Sequence, residues 1–156
     1  MYEKIMVPLD GSAASEVAIS LALTLNAGSN CQLSLVRMQN LGDQLGFPLG
    51  FPVPAESVQA EYERCRAYLL SASQRLASNQ QVHTIVLAHQ EDVAQALADQ
   101  ARAQAAQLIV MTSHGWEGFE RSLRGSVAEE LARIAPCPVL IIGPHTEILQ
   151  AGLQPG

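Results

Sequence analysis

Hydrophobic positions along this chain switch repeatedly between uninterrupted short runs and helical spacing, and the switches mark out the elements. Ile5-Met6-Val7-Pro8-Leu9 is an apolar strand that ends at Asp10-Gly11-Ser12, a turn and N-cap cluster. A helix is predicted next, with Val17, Leu21 and Leu25 on its inner face, Ala18 and Ala22 beside them, and a stop at Asn26-Ala27-Gly28-Ser29-Asn30. Gln32 to Met38 reads as a second strand. Across 57–78, Val58, Tyr62, Cys65, Leu69, Ala72 and Leu76 recur at steps of four and three, the stripe of an amphipathic helix.

Val82 to Leu87 is a third strand, rich in β-branched residues, and Val93, Leu97, Ala101 and Ala105 predict an alanine-rich helix after it. Leu108-Ile109-Val110-Met111 has no alternation, as expected of a parallel strand covered on both faces. Val127, Leu131 and Ile134 then place a helix over 126–135, and Val139 to Ile142 is a last strand. Such alternation implies an α/β fold, a parallel sheet with helices on both faces. Ligands in these sheets bind beyond the carboxyl ends of the strands, where the strand order reverses. Asp10 and the segment from Thr112 to Ser126 follow two of those ends.

The second segment carries the chemistry. Thr112-Ser113-His114-Gly115 leads through nine residues to Gly125-Ser126-Val127, so a strand, a glycine loop and a helix start follow in order. Free N–H groups and a partial positive charge of about half a unit at a helix start favour an anion, and glycine lets the backbone approach it. Arg121 and Arg124 stand in the connection, either as phosphate partners or as solvated surface charge. Asp10 likewise has two readings, helix cap or ligand contact, and Ser12 is able to take the cap.

At 156 residues, 48% hydrophobic and 15% charged, the chain fits one domain with a packed core. Of the 9 basic residues only Lys4 is a lysine, and it follows no glycine, which excludes a Walker phosphate loop. The same lysine count removes a phosphorelay receiver, which needs a lysine late in the chain and an acidic cluster. The net charge of −6 and the absence of a basic patch argue against nucleic acid. No apolar stretch reaches the roughly 18 to 20 residues of a membrane span, and no signal-peptide pattern precedes Lys4, so a cytoplasmic protein is expected.

Cys31, Cys65 and Cys137 form no Cys-x-x-Cys pair and are expected to be buried, reduced packing residues. His83, His89, His114 and His145 lack metal-ligand spacing, so no resident metal is expected. No nucleophile elbow surrounds any serine, and no catalytic residue stands out. Residues 39–55 form a long Gly- and Pro-rich loop with the near-repeat Gly46-Phe47-Pro48-Leu49 and Gly50-Phe51-Pro52-Val53. A lid, a pad against a partner and a loop tucked onto its own domain all fit it. Residues 144–156 have no periodic face and are expected to be a mobile tail.

With the glycine loop, the Pro8-Leu9-Asp10 strand end and the close Ala135-Pro136-Cys137-Pro138-Val139-Leu140-Ile141-Ile142 in view, the chain resembles the universal stress protein family over residues 1–143. The resemblance implies a Rossmann-like five-stranded sheet of order 3-2-1-4-5 and a homodimer joined through Val139 to Ile142. Nucleotide-binding members carry Gly, two residues, Gly, nine residues, then Gly-Ser or Gly-Thr. Gly115, Gly125 and Ser126 match, and Thr112 replaces the first glycine.

The resemblance further implies that Pro8, Leu9 and Asp10 edge the adenine and ribose of ATP or AMP, with Met38 meeting the adenine through its backbone. Met111, Thr112 and His114 would line the ribose side; Gly115, Gly125, Ser126 and Val127 would hold the phosphates, and Arg124, which the resemblance does not assign, is the candidate for added positive charge beside them. Mg²⁺ or Mn²⁺ is expected only together with those phosphates. The function implied is a nucleotide-binding regulatory module in stress response, acting on a protein partner the sequence does not identify. The competing reading is a stress protein acting through its dimer and protein contacts without nucleotide, and a slow ATPase is the lesser one. Thr112 is the residue that divides them: a β-branched side chain is strained at positive φ and unstrained at negative φ.

Overall fold

The computed structural model describes residues 2–27, 30–41, 52–76, 80–113 and 126–143, with only the backbone described at Ser126. Strands β1 (Lys4–Pro8), β2 (Gln32–Met38), β3 (Gln81–Leu87), β4 (Leu108–Thr112) and β5 (Val139–Ile142) alternate with helices α1 (Ala13–Leu25), α2 (Ala55–Gln74), α3 (Val93–Ala103) and α4 (Ser126–Ile134). All strand pairs are parallel, and the order is β3-β2-β1-β4-β5. The order that the family resemblance implied is therefore the one the structure has.

Strand residues point alternately to opposite faces, and this divides the core in two. Ile5, Val7, Leu33, Leu35, Leu108 and Val110 pack against α1 and α2. Met6, Val36, Met38, Ile109 and Met111 pack against α3 and α4. Placing α1 and α2 on one face and α3 and α4 on the other is what right-handed crossovers require when the winding reverses at β1.

Three details depart from the sequence pattern. The inner face of α1 is Ser15, Ala18, Ile19 and Ala22, while Leu25 is exposed. Small side chains let that helix lie close to the sheet, and Val17 and Leu21 flank the contact. On α2 the stripe holds at Cys65, Leu69 and Ala72, but Glu61 is buried in place of Tyr62. Hydrophobicity alone gives no reason to turn a carboxylate inward.

The third departure is at the end of α3. Ala105 lies beyond the helix, at φ 53°, the one non-glycine positive φ among the described residues. Its N–H donates to the Arg102 carbonyl at 3.1 Å and the Ala106 N–H to the Ala101 carbonyl at 2.9 Å. This is a Schellman cap with alanine where glycine is usual. An L-residue in this region costs about 1–2 kcal/mol, part of which the greater unfolded-state freedom of glycine offsets. Ala105→Gly should therefore raise unfolding stability by about 0.5–1 kcal/mol, read as a higher urea midpoint at unchanged slope.

Candidate functional site

The site is built where β1 and β4 end side by side. β1 pairs with β2 through Pro8 opposite Val36, and the Leu9 N–H still reaches the Val36 carbonyl at 2.8 Å before the chain turns away at Asp10. Gly11 makes that turn at φ +95°, a conformation that L side chains rarely adopt. Ser12 is the N-cap of α1, its hydroxyl accepting from the Ser15 N–H at 3.1 Å.

Asp10 is thereby free of the capping role. Its Oδ1 accepts from the Ser12 N–H at 2.8 Å and the Ser12 hydroxyl at 2.7 Å, which fixes the carboxylate's orientation. The other oxygen, Oδ2, is buried and has no hydrogen-bond partner among the described residues. A buried acceptor without a donor costs about 1–3 kcal/mol. That deficit marks a place where a ligand donor would be bound favourably.

Basic charge reaches the turn from β2. Arg37 shares the face of Leu33 and Leu35, and its guanidinium lies 4.8 Å from the centre of the Tyr68 ring on α2, a cation–π contact. A Cβ at Gly11 would come within 2.7 Å of Arg37 Nη1, so the absence of a side chain at Gly11 leaves room for the guanidinium. Burial pushes the Tyr68 phenol up, and the nearby Glu16 carboxylate adds to it. Glu16 is itself paired with Arg75 at 2.9 Å, a contact that ties the start of α1 to the end of α2.

β2 extends two residues past the Pro8–Val36 pairing, so Met38 overhangs the end of β1 while still paired to Leu87. Beyond it, the Gln39 N–H donates to the Leu87 carbonyl at 2.9 Å and the Gln39 side-chain amide to the Val58 carbonyl at 2.9 Å. His89 Nδ1 lies 3.1 Å from the Gln39 carbonyl, which requires a proton on that nitrogen. The Asn40 N–H donates to Glu61 at 3.3 Å.

On the other side, β4 ends at Thr112, paired with Ile142, and the Ser113 N–H donates to the Ile142 carbonyl at 2.9 Å. Thr112 does not have positive φ, so its branched side chain sits in strand geometry without backbone strain. The conformational objection to threonine at this position is removed.

The structure thus brings Pro8, Leu9, Asp10, Met38, Met111 and Thr112 to one end of three adjacent strands. Leu9 and Met111 are fully buried, with their side chains in the two cores. Val127 lies in the first turn of α4 with its side chain in the core. His114, Gly115, Arg121, Arg124 and Gly125 lie outside the described residues, as do the Ser126 side chain, residues 42–51 of the long loop and the 144–156 tail. Among the described residues no group of three or more His, Cys, Asp or Glu is arranged to hold a metal ion, and no helix is long and apolar enough to cross a membrane.

Sequence reasoning missed Arg37, Tyr68 and Glu61. Arg37 left one signal, a charge inside the otherwise apolar Leu33 to Met38 strand, whereas Glu61 left none.

The family described as Universal stress protein family matches residues 1–143. Universal stress protein MJ0531 of Methanocaldococcus jannaschii is 29% identical over 145 residues, covering 91% of this chain and 82% of that one. The crystal structure of a universal stress protein family member from Burkholderia pseudomallei is 32% identical, with a TM-score of 0.68 over 90% of this chain and 96% of that one. A universal stress protein crystallised in complex with cAMP has the same fold, with a TM-score of 0.65 at 24% identity over 90% and 97% of the two chains.

Cys31 and Cys65 are buried as expected, while Cys137 is partly exposed. Burial pushes the Cys65 thiol up to about 11 from 9.0; the Arg37 charge opposes the rise and Glu61 adds to it. The folded chain therefore holds this proton above the pH at which the unfolded chain releases it. The stability so gained is complete below about pH 9 and is lost as pH rises toward 11, a change on the order of 2–3 kcal/mol. Urea midpoints measured between pH 8 and 11 should fall across that window, and Cys65→Ala should flatten the fall.

Proposed function

We infer the function from one premise: the chain belongs to the universal stress protein family. It is an adenine-nucleotide-binding regulatory module whose nucleotide lies across the ends of β1, β2 and β4. Asp10 Oδ2 is the observation that carries this reading, a buried acceptor without a donor at the point where the sheet reverses. A ribose hydroxyl is a donor of the right kind. The cAMP complex of a neighbour with this fold supports the choice of ligand class.

In this reading Pro8, Leu9 and Asp10 edge the nucleoside, and the overhanging Met38 main chain meets the adenine. Met111, Thr112 and His114 line the ribose. Gly115, Arg124, Gly125, Ser126 and Val127 surround the phosphates, where the start of α4 adds its dipole. ATP and AMP are the candidates, and Mg²⁺ or Mn²⁺ would enter only on phosphate oxygens. Occupancy acts as a signal only where a partner prefers the occupied form, because a ligand indifferent to two states shifts neither. The proposed setting is the cytoplasm.

Calorimetry with ATP, ADP and AMP tests the reading. Heat with a dissociation constant below millimolar is expected for at least one of them, and Asp10→Ala should weaken it about tenfold through loss of a hydrogen bond to a charged group. No heat and no thermal shift at millimolar ligand would remove the binding claim.

We also propose that the chain is a homodimer joined through β5. That strand is an edge of the sheet with Leu140 and Ile141 both more than one-third exposed, and an unpaired apolar edge invites a second copy. Light scattering at micromolar protein should give twice the chain mass of 16.7 kDa, and Leu140→Lys should shift it toward the monomer.

A further inference from the structure

Glu61 is the most completely buried charged side chain among the described residues, with no exposed surface at all. It sits on α2 one turn from Cys65, on a stripe that is otherwise apolar through Leu69 and Ala72. Its Oε2 accepts from Arg64 Nε at 2.9 Å and Nη2 at 2.8 Å. Its Oε1 lies 3.3 Å from the Asn40 main-chain nitrogen and 3.5 Å from Cys65 Sγ, both of them donors. Both oxygens are therefore used, one on the helix side and one on the chain leaving β2.

The ion pair with Arg64 adds little stability, since the Arg64 side chain is 55% exposed and its charge is screened by water. What Glu61 supplies that a leucine would not is a fixed acceptor for the Asn40 N–H. The neighbouring Gln39 is gripped on the same side, by Leu87 and Val58 and by the His89 ring. Every one of these contacts comes from α2, β3 or the turn after β3. Together they hold the Met38–Asn40 main chain from behind, while Met38 overhangs β1 above the Asp10 turn.

We propose that Glu61 is a positioning residue for the base end of the nucleotide site, setting through the Asn40 N–H the path of the main chain that reads the adenine edge. The proposal rests on the nucleotide reading above and adds to it a division of labour. The strand end behind Met38 governs which base is accepted, and the β4 side governs the phosphates. Glu61 does not touch the ligand in this scheme, and its effect is confined to the base.

The test compares AMP, GMP and ribose 5-phosphate on the wild-type chain and on Glu61→Met, which keeps side-chain volume and removes the acceptor. Glu61→Met should remain folded at the assay temperature with a lowered thermal midpoint, because the buried Asn40 N–H loses this acceptor. Its affinity for AMP should fall about tenfold, its preference for AMP over GMP should shrink by a similar factor, and its affinity for ribose 5-phosphate should not change. Glu61→Asp keeps the charge and withdraws it by one methylene, so it decides the matter if the methionine variant does not fold, with the same pattern expected. A folded variant that binds AMP as the wild type does, or loses AMP and ribose 5-phosphate equally, overturns the positioning role alone. A wild-type chain that binds none of the three overturns the nucleotide reading, and the positioning role with it.

Discussion

A parallel sheet with right-handed crossovers has to reverse its winding somewhere if both faces are to be covered, and in this chain it does so at β1. From that strand α1 departs to one face, while the segment after β4 leads to α4 on the other. The ends of β1 and β4 lie between these two departures. Asp10 and the Thr112–Ser113 segment emerge there side by side, which is why chemistry gathers at this edge of the sheet and not along its faces.

Two carboxylates near that edge show how the same group serves different ends. Glu61 is fully buried and both of its oxygens are satisfied, by a guanidinium, a main-chain N–H and a thiol. Asp10 is only partly buried, yet one of its oxygens is enclosed without a donor. A satisfied buried carboxylate fixes the path of the chain around it. An unsatisfied one leaves a cost that a ligand's donor is able to remove. Arg37 lies between α2 and the Gly11 turn, stacked on Tyr68, and joins the framework that supports the site to the turn that bears Asp10.

The order and type of the elements were legible because burial on both faces of a parallel sheet produces unbroken apolar runs, and because α2 and α4 repeat apolar residues at helical spacing. Gln32–Met38 and Val139–Ile142 have the limits that their composition suggests. The pattern misplaced the inward face of α1, since a close contact with the sheet selects Ala18 and Ala22 over the larger Val17 and Leu21. Ala105 was assigned to a helix that stops before it, because alanine normally extends a helix and only the cap hydrogen bonds show it in the left-handed region.

Of the candidate site, Asp10 could be named from its strand end, a property of neighbours in the chain, whereas Met38 and Thr112 entered through the family resemblance and its loop motif. Sequence by itself determined the alternating α/β architecture, the family likeness and the absence of a lysine-based phosphate loop, since each is written in local spacing. Tertiary structure alone decided that Ser12 takes the cap and leaves Asp10 Oδ2 without a donor, that Thr112 is unstrained, and that Glu61 turns inward to Asn40. The reason is physical: a polar side chain's role depends on which partner reaches it across the fold, and residues 21 apart, as Asn40 and Glu61 are, carry no mark of one another in the sequence.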